Sequence, residues 1–332
     1  MTTAVRGELV EPRTAVLCPD FDLALTLRSG QLFRWRQGLS PKGTVPFFSG
    51  WIGGSLARVS KEGDRLILDG VSPEPARHFF ALDLDLPAIT RQIGVDPIIH
   101  DALGRYPGLR VVRQDPWECA ASFMLSAYNN IPRLTGMLET LAGHFGRSLA
   151  PPGRGFVRTR SERLEGAPGR STPLGPQRSL TPLPGGAKDG GFYRFPSPAA
   201  LVNVSERMLR NCGLGYRAPY LKGMAQAVVT GRADLERWRE LEDEELRRAL
   251  LTLPGIGEKV VECVMLFAYG RVSAFPVDVW IGRAMRAWYF RRRKVSDKKI
   301  REFARKHFGP YCGWAQQYLY CLARWHPENS RL

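Results

Sequence analysis

The sequence predicts an α+β protein, with an N-terminal antiparallel β-sheet domain and a mostly α-helical remainder. Three observations predict it. Short, partly alternating apolar runs fill residues 22–70, helical patterning takes over from about residue 74, and 332 residues exceed what one core usually holds, ~250–300 residues. Hydrophobic residues at 44% against 24% charged exclude a wholly disordered chain.

The strand segments are LALTLR, QLFRWR, VPFFSGW, SLARVS and DRLILD, punctuated by turn clusters such as LSPKG and KEGD. The first clear helix opens at Asp115-Pro116-Trp117-Glu118. There Asp115 can cap, Pro116 suits the first turn, and Glu118 completes a capping-box spacing. A second starts near Pro132 and ends around residues 144–146. Residues 151–190 hold eight Gly, seven Pro and seven basic residues against three acidic ones, without hydrophobic period. We therefore expect a flexible insertion over 151–191. Further helices follow: one stopped by Gly213 and Gly215, one starting near Arg217, then the amphipathic EDEELRRALLTL (242–253) and the almost wholly apolar EKVVECVMLFAYG (258–270). Asp278 can cap the helix after Pro276. The expected organisation is a tail (1–14), a sheet domain with flanking helices (15–110), and helical domains over 111–150 and 192–325.

Charge gives the first functional lead. Lys and Arg number 48 against 32 Asp and Glu, a formal +16, of which +12 lies outside 151–190. Such an excess points to an anionic partner, nucleic acid above all. The run RRRK (291–294) is either a solvated face or a source of long-range attraction for DNA. The chain has no apolar run of about 18 residues, so no membrane partner is expected. The first residues lack a secretory build, so a reducing compartment is the default expectation. Six cysteines without a C-x-x-C pair and five scattered histidines suggest neither a disulfide scaffold nor a metal site.

The chemistry gathers at LPGIG (253–257). Pro254 fixes a turn, while Gly255 and Gly257 permit positive φ and close approach of another backbone. Free N–H groups there, at the mouth of a helix, can cradle a DNA phosphate; a simple helix–helix turn is the alternative. Lys259 follows in the first turn of an apolar helix. An amine so placed loses its proton more readily and can form Schiff bases, unless it merely snorkels to water. Asp278 lies 19 residues later. It is at least a cap, and a carboxylate facing an amine can also take up a proton and support a cationic sugar.

The joint pattern LPGIGEKVVECV and FPVDVW resembles the helix-hairpin-helix–GPD superfamily of DNA glycosylases, and within it the 8-oxoguanine DNA glycosylase/AP lyases. SGQLFRW (29–35), QDPWECAASFMLSAYNNIPRLTGM (114–137), GLGYRAPY (213–220) and FGPYCGWAQQYLY (308–320) resemble segments of that family in the same order. The resemblance implies helical glycosylase domains with the helix-hairpin-helix at 242–270, Lys259 as nucleophile and Asp278 as second catalytic residue. It implies a base pocket of Gly30, Cys263, Pro276, Gln316 and Tyr320, the last replacing the more familiar Phe. It implies DNA contacts by Asn129, Asn130, Arg133, Tyr216 and Arg217 beside the hairpin glycines, and no metal or organic cofactor. The implied partner is double-stranded DNA containing oxidised guanine, bound by a monomer in the nucleoid of a bacterium or the nucleus of a eukaryote. Two departures stand out: Tyr128 replaces the first of three asparagines, which relaxes the expected preference for cytosine opposite the lesion, and Trp280 replaces a frequent His. The competing expectations are a glycosylase of the same fold for another damaged purine, and a helix-hairpin-helix DNA-binding protein without chemistry.

Overall fold

The computed structural model describes residues 13–39, 45–149 and 191–326. The expected insertion therefore lies outside the described residues, apart from Gly191.

Five antiparallel strands form the N-terminal sheet: β1 (Thr14–Leu17), β2 (Arg36–Leu39), β3 (Pro46–Ile52), β4 (Ser55–Glu62) and β5 (Arg65–Asp69), in the order β1-β5-β4-β3-β2. Phe48 pairs with Val59 and Val59 with Leu68, so alternate residues face one way. Val16, Phe48, Ile52, Val59, Leu66 and Leu68 bury on that face.

Two of the five expected strand segments are not strands. LALTLR is helix α1 (Leu23–Arg28), and most of QLFRWR is irregular, with only Arg36 entering β2. The leucines alternate, but Asp22 accepts a hydrogen bond from the Leu25 N–H at 2.8 Å and caps a helix. The face that buries is Leu23, Thr26 and Leu27, a helical spacing. An apolar run this short cannot be assigned by period alone. β1 was not anticipated, because what makes it a strand is its pairing with β5.

The helices follow as α2 (Pro73–Phe79), α3 (Leu86–Ile93), α4 (Pro97–Arg105), α5 (Pro116–Leu125) and α6 (Ile131–Phe145). A two-stranded ladder, β6 (Ser148–Leu149) with β7 (Phe192–Tyr193), joins the ends that flank the undescribed residues. Then come α7 (Pro198–Val202), α8 (Glu206–Leu209), α9 (Ala218–Val229), α10 (Asp243–Leu251), α11 (Glu258–Phe267), α12 (Val279–Trp288), α13 (Asp297–Phe308) and α14 (Cys312–Trp325). Local capping sets many starts: Asp115, Asn130 and Asp278 each accept from the N–H three residues on. Glu118 does not complete a capping box; its carboxylate accepts from Arg34 at 2.8 Å.

A second core joins the helices. Leu86, Ile89, Ile93 and Ile99 of α3 and α4 bury in the same cluster as α5, α11 and α14. Trp314 and Tyr318 of α14 lie at its centre, fully enclosed. Packing α14 between α4 and α12 brings residues from both ends of the chain to one cleft. Among the described residues no helix is long and apolar enough to cross a membrane.

Candidate active site

A cleft of about 1230 Å³ opens between α5, α11, the segment before α12, and α14. It gathers Gly30, Asn129, Asn130, Lys259, Cys263, Pro276, Asp278, Gln316 and Tyr320 from five stretches of sequence.

Lys259 and Cys263 share a face of α11 because they are four residues apart. The Lys259 Nζ donates to Ser126 Oγ at 3.2 Å and sits 5.2 Å from the centre of the Phe123 ring. Both partners lie on the α5 side of the cleft, and neither was singled out from sequence. The amine therefore points into the cleft rather than snorkelling to water. Burial pushes the Cys263 thiol up to about 11, against the pull of Lys259. It stays an uncharged thiol at neutral pH.

Asp278 is both a cap and a cleft residue. Its Oδ1 accepts from the Ile281 N–H at 2.8 Å. Burial raises its pKa above the ordinary carboxylate range, while backbone N–H groups and the Lys259 ammonium pull the other way. The fold therefore sets an amine and a partly desolvated carboxylate around one cavity.

The far wall is held by hydrogen bonds that local sequence did not reveal. Gly30 has φ +83°, and a Cβ there would stand 3.0 Å from Tyr320 Cε1 and Oη, so only glycine leaves the ring in place. On either side of Gly30 the backbone is tied down. Gln317 donates to the Ser29 carbonyl at 2.8 Å, and the fully buried Gln31 binds Ser29 Oγ, the Arg110 carbonyl and the Val112 N–H. Gln316 donates to the Pro276 carbonyl at 3.2 Å, which leaves its buried Oε1 without a hydrogen-bond partner. The Tyr320 hydroxyl accepts from Arg324 at 3.1 Å, and burial pushes that phenol up to about 12. Trp280 also lines the cleft.

The remaining expected residues lie outside the cleft. Arg133 is exposed on the first turn of α6. Arg217 is not a surface charge. It is 5% exposed, donates to the Ala127 carbonyl, and holds its guanidinium 4.4 Å from the Tyr216 ring. Tyr216 itself is 55% exposed. In the hairpin, Gly255 has φ +78° and packs on Tyr220 and Met124. Gly257 departs from the expected positive φ: at −110° it caps α11 in extended conformation. The space over the turn is open there, for a Cβ would meet no heavy atom within 4 Å.

A helix-hairpin-helix with a lysine at its mouth, facing an aspartate across a cleft, defines the class of base excision DNA glycosylases built on this hairpin. Comparison with known proteins narrows it. Residues 16–120 match the family model of the 8-oxoguanine DNA glycosylase N-terminal domain, and residues 180–310 match that of the HhH-GPD superfamily base excision DNA repair proteins. An N-glycosylase/DNA lyase of Arabidopsis thaliana is 30% identical over 322 residues, 91% of this chain and 77% of that protein. A probable N-glycosylase/DNA lyase of Methanothermobacter thermautotrophicus is 30% identical over 237 residues, covering 65% of this chain and 64% of that one. Among solved structures, MBOgg1 with a low-affinity DNA ligand superimposes with a TM-score of 0.78 at 29% identity, over 98% of this chain and 100% of that one. The 8-oxoguanine glycosylase/lyase of Clostridium acetobutylicum, bound to duplex DNA with cytosine opposite 8-oxoguanine, gives 0.76 at 28% identity, over 95% and 98%. The chain belongs to the 8-oxoguanine DNA glycosylase family of the HhH-GPD superfamily.

Proposed function

We propose that this protein excises 8-oxoguanine from duplex DNA and then nicks the strand, acting as a monomer. The observation that carries the reading is the shared cleft of Lys259 and Asp278, walled by Gly30, Cys263, Gln316 and Tyr320. The damaged nucleotide swings out of the stack, at a cost of a few kcal/mol, into that cleft. The Gly30 carbonyl accepts the N7–H that oxidation adds to guanine. The vacant acceptor of Gln316 serves the base edge, and the neutral Cys263 thiol and the Tyr320 ring pack on its two faces.

The Lys259 nitrogen attacks C1′, and the bond from C1′ to the base breaks with its electron pair leaving on the base. Asp278 takes up the proton released by the amine and supports cationic character on the sugar. Opening of the sugar gives a Schiff base, which acidifies the C2′ proton. Loss of that proton expels the 3′ phosphate, which is the β-elimination. Arg133 and Asn130 face the partner strand, Tyr216, braced by the buried Arg217, fills the gap left in the duplex, and the open N-terminus of α11 at Gly257 receives a phosphate.

The test sets duplexes carrying 8-oxoguanine, uracil or 3-methyladenine side by side, with borohydride added to trap the intermediate. Release confined to 8-oxoguanine, with a covalent adduct that vanishes in Lys259→Gln, supports the reading. Preference for 3-methyladenine moves the assignment to an alkylated purine. Binding without release or adduct leaves only a DNA-binding module.

A further inference from the structure

One buried charge is not used by this chemistry. Glu262 is 0% exposed, on the same turn of α11 as Lys259 and Cys263. Its Oε2 accepts from the Phe275 N–H at 2.6 Å. Its Oε1 accepts from Arg247 of α10 and from Arg305 of α13, the latter at 3.1 Å, with Arg301 Nε 3.6 Å away. Arg247 also bonds Glu258 at 2.9 Å, so the same guanidinium clamps both helices of the hairpin. A carboxylate is costly to bury without such partners, and here three arginines and a backbone donor meet on one.

The Phe275 contact is the telling one. Phe275 begins the strap Phe275-Pro276-Val277-Asp278, which carries one wall of the pocket and the carboxylate. Phe275 is fully enclosed, and the Pro276 carbonyl is already engaged by Gln316. Phe275 and Val277 bury in the same core as α11, and the Glu262 side chain adds a directed hydrogen bond from that helix, which bears Lys259, to the strap bearing Asp278.

Resting on the function proposed above, we infer that Glu262 is a positioning residue. Its carboxylate sets the spacing between the amine and Asp278 by holding the Phe275 N–H, and the arginines hold the carboxylate. It touches neither base nor sugar.

Two substitutions separate this from a plain ion-pair role. Glu262→Gln keeps the length and one acceptor oxygen for Phe275 but gives up the charge that pairs with the arginines. Glu262→Asp keeps the charge and withdraws the oxygen from Phe275. Positioning predicts opposite orders for activity and stability. The Gln variant melts lower yet excises within about threefold of the parent in single turnover, well below its melting temperature. The Asp variant melts closer to the parent but excises at least tenfold more slowly, with the dissociation constant for lesion duplex changed less than twofold. Arg305→Gln, at a half-exposed side chain, keeps the Phe275 contact and retains the rate while lowering the melting temperature. Activity that follows melting temperature across the three variants overturns the inference.

Amide hydrogen exchange at Phe275 reads the strap without any catalysis. Protection retained in the Gln variant and lost in the Asp variant is the expected result. Protection unchanged in the Asp variant sinks the inference. A parent protein that releases no 8-oxoguanine sinks the proposed function instead, and the exchange experiment still decides the placement of the strap.

Discussion

The inner wall of the cleft and its outer rim are built in opposite ways. On the wall, Lys259, Asp278, Gln316 and Tyr320 are each held by a hydrogen bond inside the protein, and Gly30 lies between two residues so held. On the rim, Tyr128 is 95% exposed with φ +53°, and Tyr216 is more than half exposed. A tyrosine in the left-handed region carries backbone strain of ~1–2 kcal/mol. The rim backbone is nonetheless tied: Asn129 donates to the Leu125 carbonyl at 2.9 Å, and Arg217 to Ala127. The difference separates two tasks. On the function proposed here, the groups assigned to chemistry are fixed before the substrate arrives, whereas the rim tyrosines assigned to the duplex stay in water until it covers them.

The largest break in that contrast is Lys259→Gln. It removes the proposed nucleophile from the wall and leaves the rim, so borohydride trapping should disappear and excision drop at least about a thousandfold, while duplex affinity in a binding titration stays within a few-fold. A persistent adduct would assign the nucleophile elsewhere.

Asp278→Asn comes next, with a loss of ~10²-fold or more in single-turnover excision and intact binding. Its pH dependence carries a sign. Because burial raises the Asp278 pKa, excision by the parent climbs with pH through a value above the ordinary carboxylate range, and that limb is absent in the Asn variant. Stability runs the other way. A carboxylate whose folded pKa is raised favours folding below its unfolded pKa, and that contribution is lost as pH rises through the folded value. Asparagine also caps helices well. Thermal melts at neutral pH should therefore show no loss of stability in Asp278→Asn.

A smaller effect separates the two hairpin glycines. Gly255→Ala combines φ +78° with a Cβ 2.9 Å from Tyr220 Cβ, so urea unfolding should show destabilisation by ~1–3 kcal/mol. Gly257→Ala finds open space at an ordinary φ, should leave stability within ~0.5 kcal/mol and should weaken duplex binding by obstructing the proposed phosphate site. Equal destabilisation by both would refute the division of labour.

The smallest effect sharpens the rim. The parent should excise with comparable single-turnover rates opposite all four bases, and Tyr128→Asn should raise the relative rate opposite cytosine several-fold. A full cytosine preference in the parent would dismiss the role given to Tyr128.

What could be read from sequence follows from the range of the forces involved. Helices α5 and α12 were legible because Asp115 and Asp278 act on N–H groups three residues away, whereas α6 was placed near Pro132 without its Asn130 cap being read. Strands β3, β4 and β5 were legible because turn clusters bound alternating runs. LALTLR was misread because a capping aspartate overrode an alternating pattern of only six residues. Lys259 and Cys263 could be paired from their spacing alone. Ser126, Phe123, Gln31 and Gln317 could not, since each matters through a partner far along the chain.

The sequence by itself determined the hairpin, the caps, the basic charge and the inventory of reactive groups, all of which depend on neighbours within a turn or two. Tertiary structure alone decided that Gln317 would clamp Ser29, that Glu262 would grip Phe275, and that the amine would face Ser126 rather than solvent. Those outcomes come from burying polar groups whose hydrogen bonds must be met by whatever the packing of distant segments brings within reach.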